Sequence, residues 1–74
     1  MELKERIKEL RQRKGVTQKE LGEALGITSI AEQRYEYGER IPNLKMLVAL
    51  ADYFDVSLDY LVGRSPNPKF DRWE

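Results

Sequence analysis

Four glycines and one internal proline set the outline of this 74-residue chain before any other pattern is considered. Gly15, Gly26, Gly38 and Gly63 each follow a stretch with helical periodicity. A residue without a Cβ takes the left-handed conformation that ends a helix at no steric cost. Pro42 forbids an early restart after Gly38. The chain is thereby restricted to short helices joined by tight turns.

The segments between these stops read as follows. Leu3, Ile7 and Leu10 recur at helical spacing among Lys, Arg and Glu, which predicts an amphipathic helix over about residues 2–14. "TQKE" then offers a reciprocal cap, with Thr17 accepting from the backbone three residues on and Glu20 reaching back. The second helix is expected over about 18–25, with Leu21 and Leu25 inward. A third runs from Thr28 or Ser29 to Tyr37, and Asn43 can cap a fourth. That fourth segment, "LKMLVALADYF", is apolar almost all round, so a central position covered on more than one side is expected. Ser57 caps a final short helix, "LDYLVG". No strand signal or internal repeat is present. The fold class expected is all-α, with five helices over residues 1–64 and an extended tail over 65–74.

Composition narrows the function. A chain of this length buries only a thin core. It contains neither cysteine nor histidine, so disulfides, thiolate metal sites and most nucleophile–base pairs are excluded. No cofactor or metal is expected, and Asp52, Asp55 and Asp59 read as solvated surface and helix-end charges rather than an enzyme's acids. No apolar run approaches the roughly 18 residues of a membrane span, and the acid-rich start resembles no signal peptide; a cytoplasmic protein is expected. Net charge is zero, so any affinity for nucleic acid must come from a local patch.

The second and third helices carry the functional signal. Gly22, four residues before Gly26, lets the following helix cross closely, and Gly26 supplies the left-handed backbone of a short turn between steeply crossed helices. Ile27 and Tyr35 are placed to anchor the third helix from below. This describes a helix-turn-helix. The wider pattern, "RIKELRQRKGVTQKELGEALGIT" followed by "RYEYGERIPNLKMLVALADYFDVSLDYLVGRS", resembles the lambda-repressor-like, Cro/C1/Xre-type DNA-binding domains over about residues 3 to 64.

The resemblance implies specific roles. Gln18 and Thr28 begin the two motif helices, where such domains meet phosphate; Gln33 and Arg40 match further phosphate contacts. Ser29, Ile30 and Arg34 hold the outward positions from which such domains touch base edges. Arg11 and Glu36 match a structural pair bridging the first and third helices. Elementary chemistry is compatible with these roles. A helix N-terminus suits an anion, and Arg can span guanine O6 and N7. Ile30, if exposed, could meet a thymine methyl; it could equally tuck into the domain.

One position departs from the pattern. Six residues after the turn glycine the family usually places an apolar plug, and this chain has Glu32. Three readings compete. Ser29 caps the helix and "SIAE" forms a second capping box, with Glu32 bonding back; or Glu32 lies at the core's edge and snorkels toward Arg34 or another cation; or the helix is rotated so that Ala31 and Tyr35 face inward. The first is preferred and can coexist with the third. In each case the third helix is expected to be the least firmly held element, and Glu32→Ile or Glu32→Tyr is expected to stabilise the fold.

The function expected is a sequence-specific transcriptional regulator of double-stranded DNA, a homodimeric repressor reading a palindromic operator through the third helix. The alternative is a protein-interaction module that has lost DNA binding, which neutral charge and Glu32 favour. Candidate dimer surfaces are Leu58, Leu61 and Val62, the far side of helix four (Met46, Leu50, Tyr53), and the tail with Phe70 and Trp73.

Overall fold

The structure is a computed structural model that describes residues 1–64 and Pro66. The expectations for Phe70, Trp73 and the extended tail lie outside the described residues. Among the described residues there are five helices and no strand: α1 (Leu3–Lys14), α2 (Gln18–Leu25), α3 (Ser29–Tyr37), α4 (Leu44–Phe54) and α5 (Leu58–Leu61).

Each boundary has a local cause. Thr17, Thr28, Asn43 and Ser57 cap α2 to α5, each accepting a hydrogen bond from the backbone N–H three residues on. This satisfies one of the donors that every helix start leaves unpaired. At α1 the Glu2 N–H donates to the Glu5 carboxylate at 2.9 Å, so the Glu5 side chain reaches back over the helix start. Gly15, Gly26 and Gly38 close α1, α2 and α3 in the left-handed conformation. At the end of α4 the same conformation falls on Asp55, with φ 56°, one of the few residue types that tolerate it. α5 is a single turn, ending before Val62 and Gly63.

The core is formed by Ile7, Leu10, Leu21, Tyr35, Leu50, Ala51, Val56, Tyr60 and Leu61. α1 packs against α3, α4 and α5, while α2 lies chiefly on α3 and also on α4. The core therefore draws a residue or more from each of the five helices, and α3 is held chiefly by α1 and α2. Arg6 of α1 stacks over the Tyr60 ring at 3.8 Å and pairs with Glu9 at 2.9 Å, sealing the α1–α5 seam.

One expectation is refined and another needs correction. α4 packs against α1, α2 and α5 and so is covered on more than one side, as expected, but not all round. Leu44 is 70% exposed, Val48 also faces outward, and Ile41 in the preceding loop is 80% exposed. In so small a domain α4 has neighbours on only part of its circumference, and its excess apolar residues remain on the flank. Leu61 and Leu50 are fully buried in the core and are not open to a second subunit. Of the apolar positions considered for a dimer, Leu58 is exposed, whereas Val62, Met46 and Tyr53 are half-buried.

Candidate nucleic-acid interface

α2 and α3 meet as the glycines require. Gly26 has φ 74° and donates its N–H to Glu23 and Gly22, and the Ile27 N–H bonds to Gly22 at 2.9 Å. A Cβ at Gly22 would lie 3.1 Å from both the Ile27 and Thr28 carbonyl oxygens. Such a contact is tighter than side chains ordinarily make, and backbone atoms yield little. Gly22 thus allows α3 to start directly on the side of α2.

α3 has two unlike faces. Ile30 and Tyr37 are 60% and 61% exposed, and Arg34 between them is exposed. Spacings of four and three residues align these side chains along one edge. Ser29 and Gln33 flank the edge half-buried, while Thr28 at its start and Arg40 beyond its end are exposed. The loop after Gly38 is fixed to the helix, with the Glu39 and Arg40 N–H groups both bonding to the Arg34 carbonyl, so Arg40 emerges beside the same edge. Ile30 does not tuck into the domain. Tyr37 was overlooked in the sequence, although its register with Ile30 and Arg34 was a usable signal.

The inner face carries Glu32, Tyr35 and Glu36. Arg11 holds Glu36 with its guanidinium fork, Nε to Oε2 at 2.7 Å and Nη2 to Oε1 at 3.2 Å, and donates Nη1 to the Val16 carbonyl at 3.0 Å. Gln18 donates Nε2 to Glu36 Oε1 at 3.3 Å. Glu36 therefore ties α3 to the last turn of α1 and the first turn of α2. Burial pushes its carboxyl pKa upward, but the neighbouring Glu32 carboxyl and the hydrogen bonds from Arg11 and Gln18 prevail and hold it below the ordinary value. The Arg11 pKa is raised, first by its hydrogen bond to Glu36. The side-chain amide of Gln18, expected at phosphate, is turned inward.

Glu32 overturns the first two sequence readings and leaves the third standing only in part. Thr28, not Ser29, is the cap, and its hydroxyl bonds to the Ala31 N–H at 3.1 Å. The third helical position is then Ala31, and Glu32 stands one residue too far on to close a box. It does not snorkel either, being 0% exposed. Tyr35 is buried beside a half-buried Ala31, but no rotation takes Glu32 out of the interior. Neither carboxyl oxygen has a hydrogen-bond partner. Desolvation, then the neighbouring Glu36 carboxylate, raises its pKa to about 8, against the opposing pull of Arg11. With its pKa raised to about 8, Glu32 is chiefly a neutral carboxylic acid at neutral pH. The repulsion that a carboxylate here would exert on phosphate is therefore absent.

A closely packed helix pair with a glycine turn, the second helix open along its outer edge, defines a helix-turn-helix domain. The chain belongs to the Helix-turn-helix family, of the Cro/C1 type, which residues 7–61 match. It is 42% identical over 65 residues to the HTH-type transcriptional regulator YqaE of Bacillus subtilis, covering 88% of this chain and 56% of that protein. It is 36% identical over 64 residues to the phage CTXphi transcriptional repressor RstR of Vibrio cholerae, covering 86% and 57%. The chain thus spans little more than half the length of these relatives. Among solved structures, the P22 c2 repressor bound to a synthetic operator superposes with a TM-score of 0.81 at 31% identity, over 88% of this chain and 98% of that one. A transcriptional regulator from Listeria innocua gives 0.81 at 28% identity, over 97% and 64%.

Proposed function

We propose that this protein is a sequence-specific transcriptional regulator of the cytoplasm that binds double-stranded DNA, acting as a homodimeric repressor with α3 in the major groove of a palindromic operator. The observation that carries this reading is the free outer edge of α3, where Ile30, Arg34 and Tyr37 stand clear of the domain's own side chains. The repressor–operator complex among its structural neighbours supports it.

Arg34 suits a guanine edge and Ile30 a thymine methyl, with Ser29 beside them. Thr28, Gln33 and Arg40 are assigned to phosphates. Gln18 contributes through the first-turn N–H groups of α2, which lack intrahelical partners, rather than through its side-chain amide. A single such unit reads few base pairs, and two on half-sites about one helical turn apart read more. Leu58 and Val62 are assigned to that dimer contact. The exposed Ile41, Leu44 and Val48 favour a protein contact of some kind, which keeps the protein-interaction module as the alternative.

Binding to mixed duplex DNA, measured against salt, tests the reading. Affinity should fall steeply as salt rises, with a slope set by the phosphates neutralised; affinity independent of salt would favour the protein-interaction alternative. Arg34→Ala should reduce discrimination by about 1–3 kcal/mol at one base pair, whereas Arg40→Ala should weaken all duplexes alike. Selection from a random DNA pool should return a palindrome.

A further inference from the structure

Glu32 belongs to a cluster whose members are drawn from every helix that holds α3. Its oxygens are wholly buried and have no hydrogen-bond partner. Glu36, one turn on, lies against it. Arg11 of α1 directs three of its nitrogens elsewhere, two to Glu36 and one to the Val16 carbonyl. From α2 comes the uncharged Gln18, which is engaged with Glu36. Among the described residues no charged group of α4 or α5 acts on Glu32; its only charged neighbours are Glu36 and Arg11. The site thus holds two carboxyl groups against one cation.

We propose that Glu32 is a positioning residue that must remain protonated beside the Arg11–Glu36 pair for α3 to be seated against α1 and α2 in the pose that presents Ile30, Arg34 and Tyr37. The effect on DNA rests on the function proposed above; the effect on folding does not. Loss of the proton leaves two adjacent buried carboxylates. They repel each other and compete for Arg11 and Gln18, the groups that fix α3. Water or movement of α3 must then solvate the second charge, and either displaces the outer edge as well.

The direction of the pH dependence follows from linkage. In the unfolded chain Glu32 loses its proton near the ordinary carboxylate value, while in the folded protein it keeps it to about 8. The stabilisation is therefore complete below the unfolded pKa and is lost as pH rises through the folded one. Alkaline conditions loosen α3; acidic conditions seat it.

The test begins with the protein alone, following the Glu32 side-chain carboxyl by carbon NMR against pH. A midpoint well above the ordinary carboxylate range supports the proposal, and a midpoint below about 5 overturns it. Thermal unfolding of the parent and of Glu32→Gln, which keeps shape and polarity without a titrating proton, supplies the second readout. The parent should lose on the order of 10 °C in Tm between pH 5.5 and 8.5 relative to that variant; parallel profiles overturn the proposal. Should Glu32→Gln fail to fold, Glu32→Ile takes its place, with the same expected divergence. Duplex binding at pH 7 and pH 9 then joins folding to function. The parent should weaken by about tenfold more than the variant. If neither protein binds duplex at either pH, the DNA reading fails, while the first two measurements still decide the state of Glu32.

Discussion

α2 and α3 are near twins in construction and opposites in what they bury. Each has eight or nine residues, begins at a threonine cap and ends at a left-handed glycine. α2 buries Leu21 and Gly22, a hydrocarbon plug and a bare backbone. α3 buries Glu32, Tyr35 and Glu36. Hydrocarbon burial is non-directional and indifferent to pH, so α2 is held firmly and unspecifically. A carboxyl cluster is directional. It fixes α3 only while each charge has its partner, and it makes the helix responsive to protonation. The element with the greatest need for an exact pose is thus held by the interaction with the strictest geometry, at a cost in stability.

Removing the cation should break this contrast most severely. Arg11→Met would leave the Glu36 side chain, only 1% exposed, without its charge partner. Breaking a buried pair by removing one member costs about 3–5 kcal/mol, a large share of the roughly 5–15 kcal/mol that holds a domain together. Urea unfolding at pH 7 should show that loss. The deficit should narrow as pH falls and Glu36 takes a proton, because an acid held below its ordinary pKa stabilises the fold only while it is ionised. A loss below about 1 kcal/mol would place the pair in the class of exposed ion pairs and remove the distinction between the two helices.

That distinction was only partly legible in the sequence. Caps and stops were readable because they act through near neighbours: Thr17 and Glu20, Asn43 and Met46, Ser57 and Tyr60 find each other three residues apart whatever the tertiary structure does. Gly22 was readable too, since its spacing from Gly26 matters only if two helices cross there. Glu32 was misread because the capping register depends on whether Thr28 or Ser29 takes the extended conformation, and both are competent caps. A shift of one residue moves the third helical position from Glu32 to Ala31. The exposure of α4 was not legible for a different reason. Its sequence records which residues are apolar, not how many neighbours a small domain can supply to cover them. Gln18 was placed at the phosphate by its position at a helix start, which says nothing of the buried carboxylate that engages its amide.

The packing side of the comparison is sharpened at Gly22. Gly22→Ala gains about 1 kcal/mol of helix propensity, but its methyl group would meet two backbone oxygens at 3.1 Å. Overpacking of that kind costs about 1–3 kcal/mol, so a net loss of up to about 2 kcal/mol is expected. Because the obstructing atoms are the carbonyls that lead into α3, duplex affinity should fall by more than stability alone accounts for. A stabilised variant with unchanged DNA binding would show that α3 can move aside freely, and that its pose is not set by this crossing.

The smallest effect lies in the two threonine caps. Thr17 sits in a reciprocal box: its hydroxyl accepts from the Glu20 N–H at 3.0 Å and its own N–H donates to the Glu20 carboxylate at 2.9 Å. The bond from the Thr17 N–H holds the Glu20 pKa below its ordinary value. Thr28 has only the single bond to Ala31. Replacing an N-cap threonine by alanine typically costs about 1 kcal/mol. Thr17→Ala should lie above that figure, because loss of the hydroxyl also loosens the return bond, and Thr28→Ala at or below it. The order should reverse in duplex binding. Thr28 is exposed at the start of α3, where its hydroxyl and the first-turn N–H groups face the expected phosphate, so its removal should weaken DNA more than its effect on Tm would suggest. Equal losses in both assays would mean that the two helices are held alike at their N-termini, leaving the buried carboxyl pair as the whole of the difference between them.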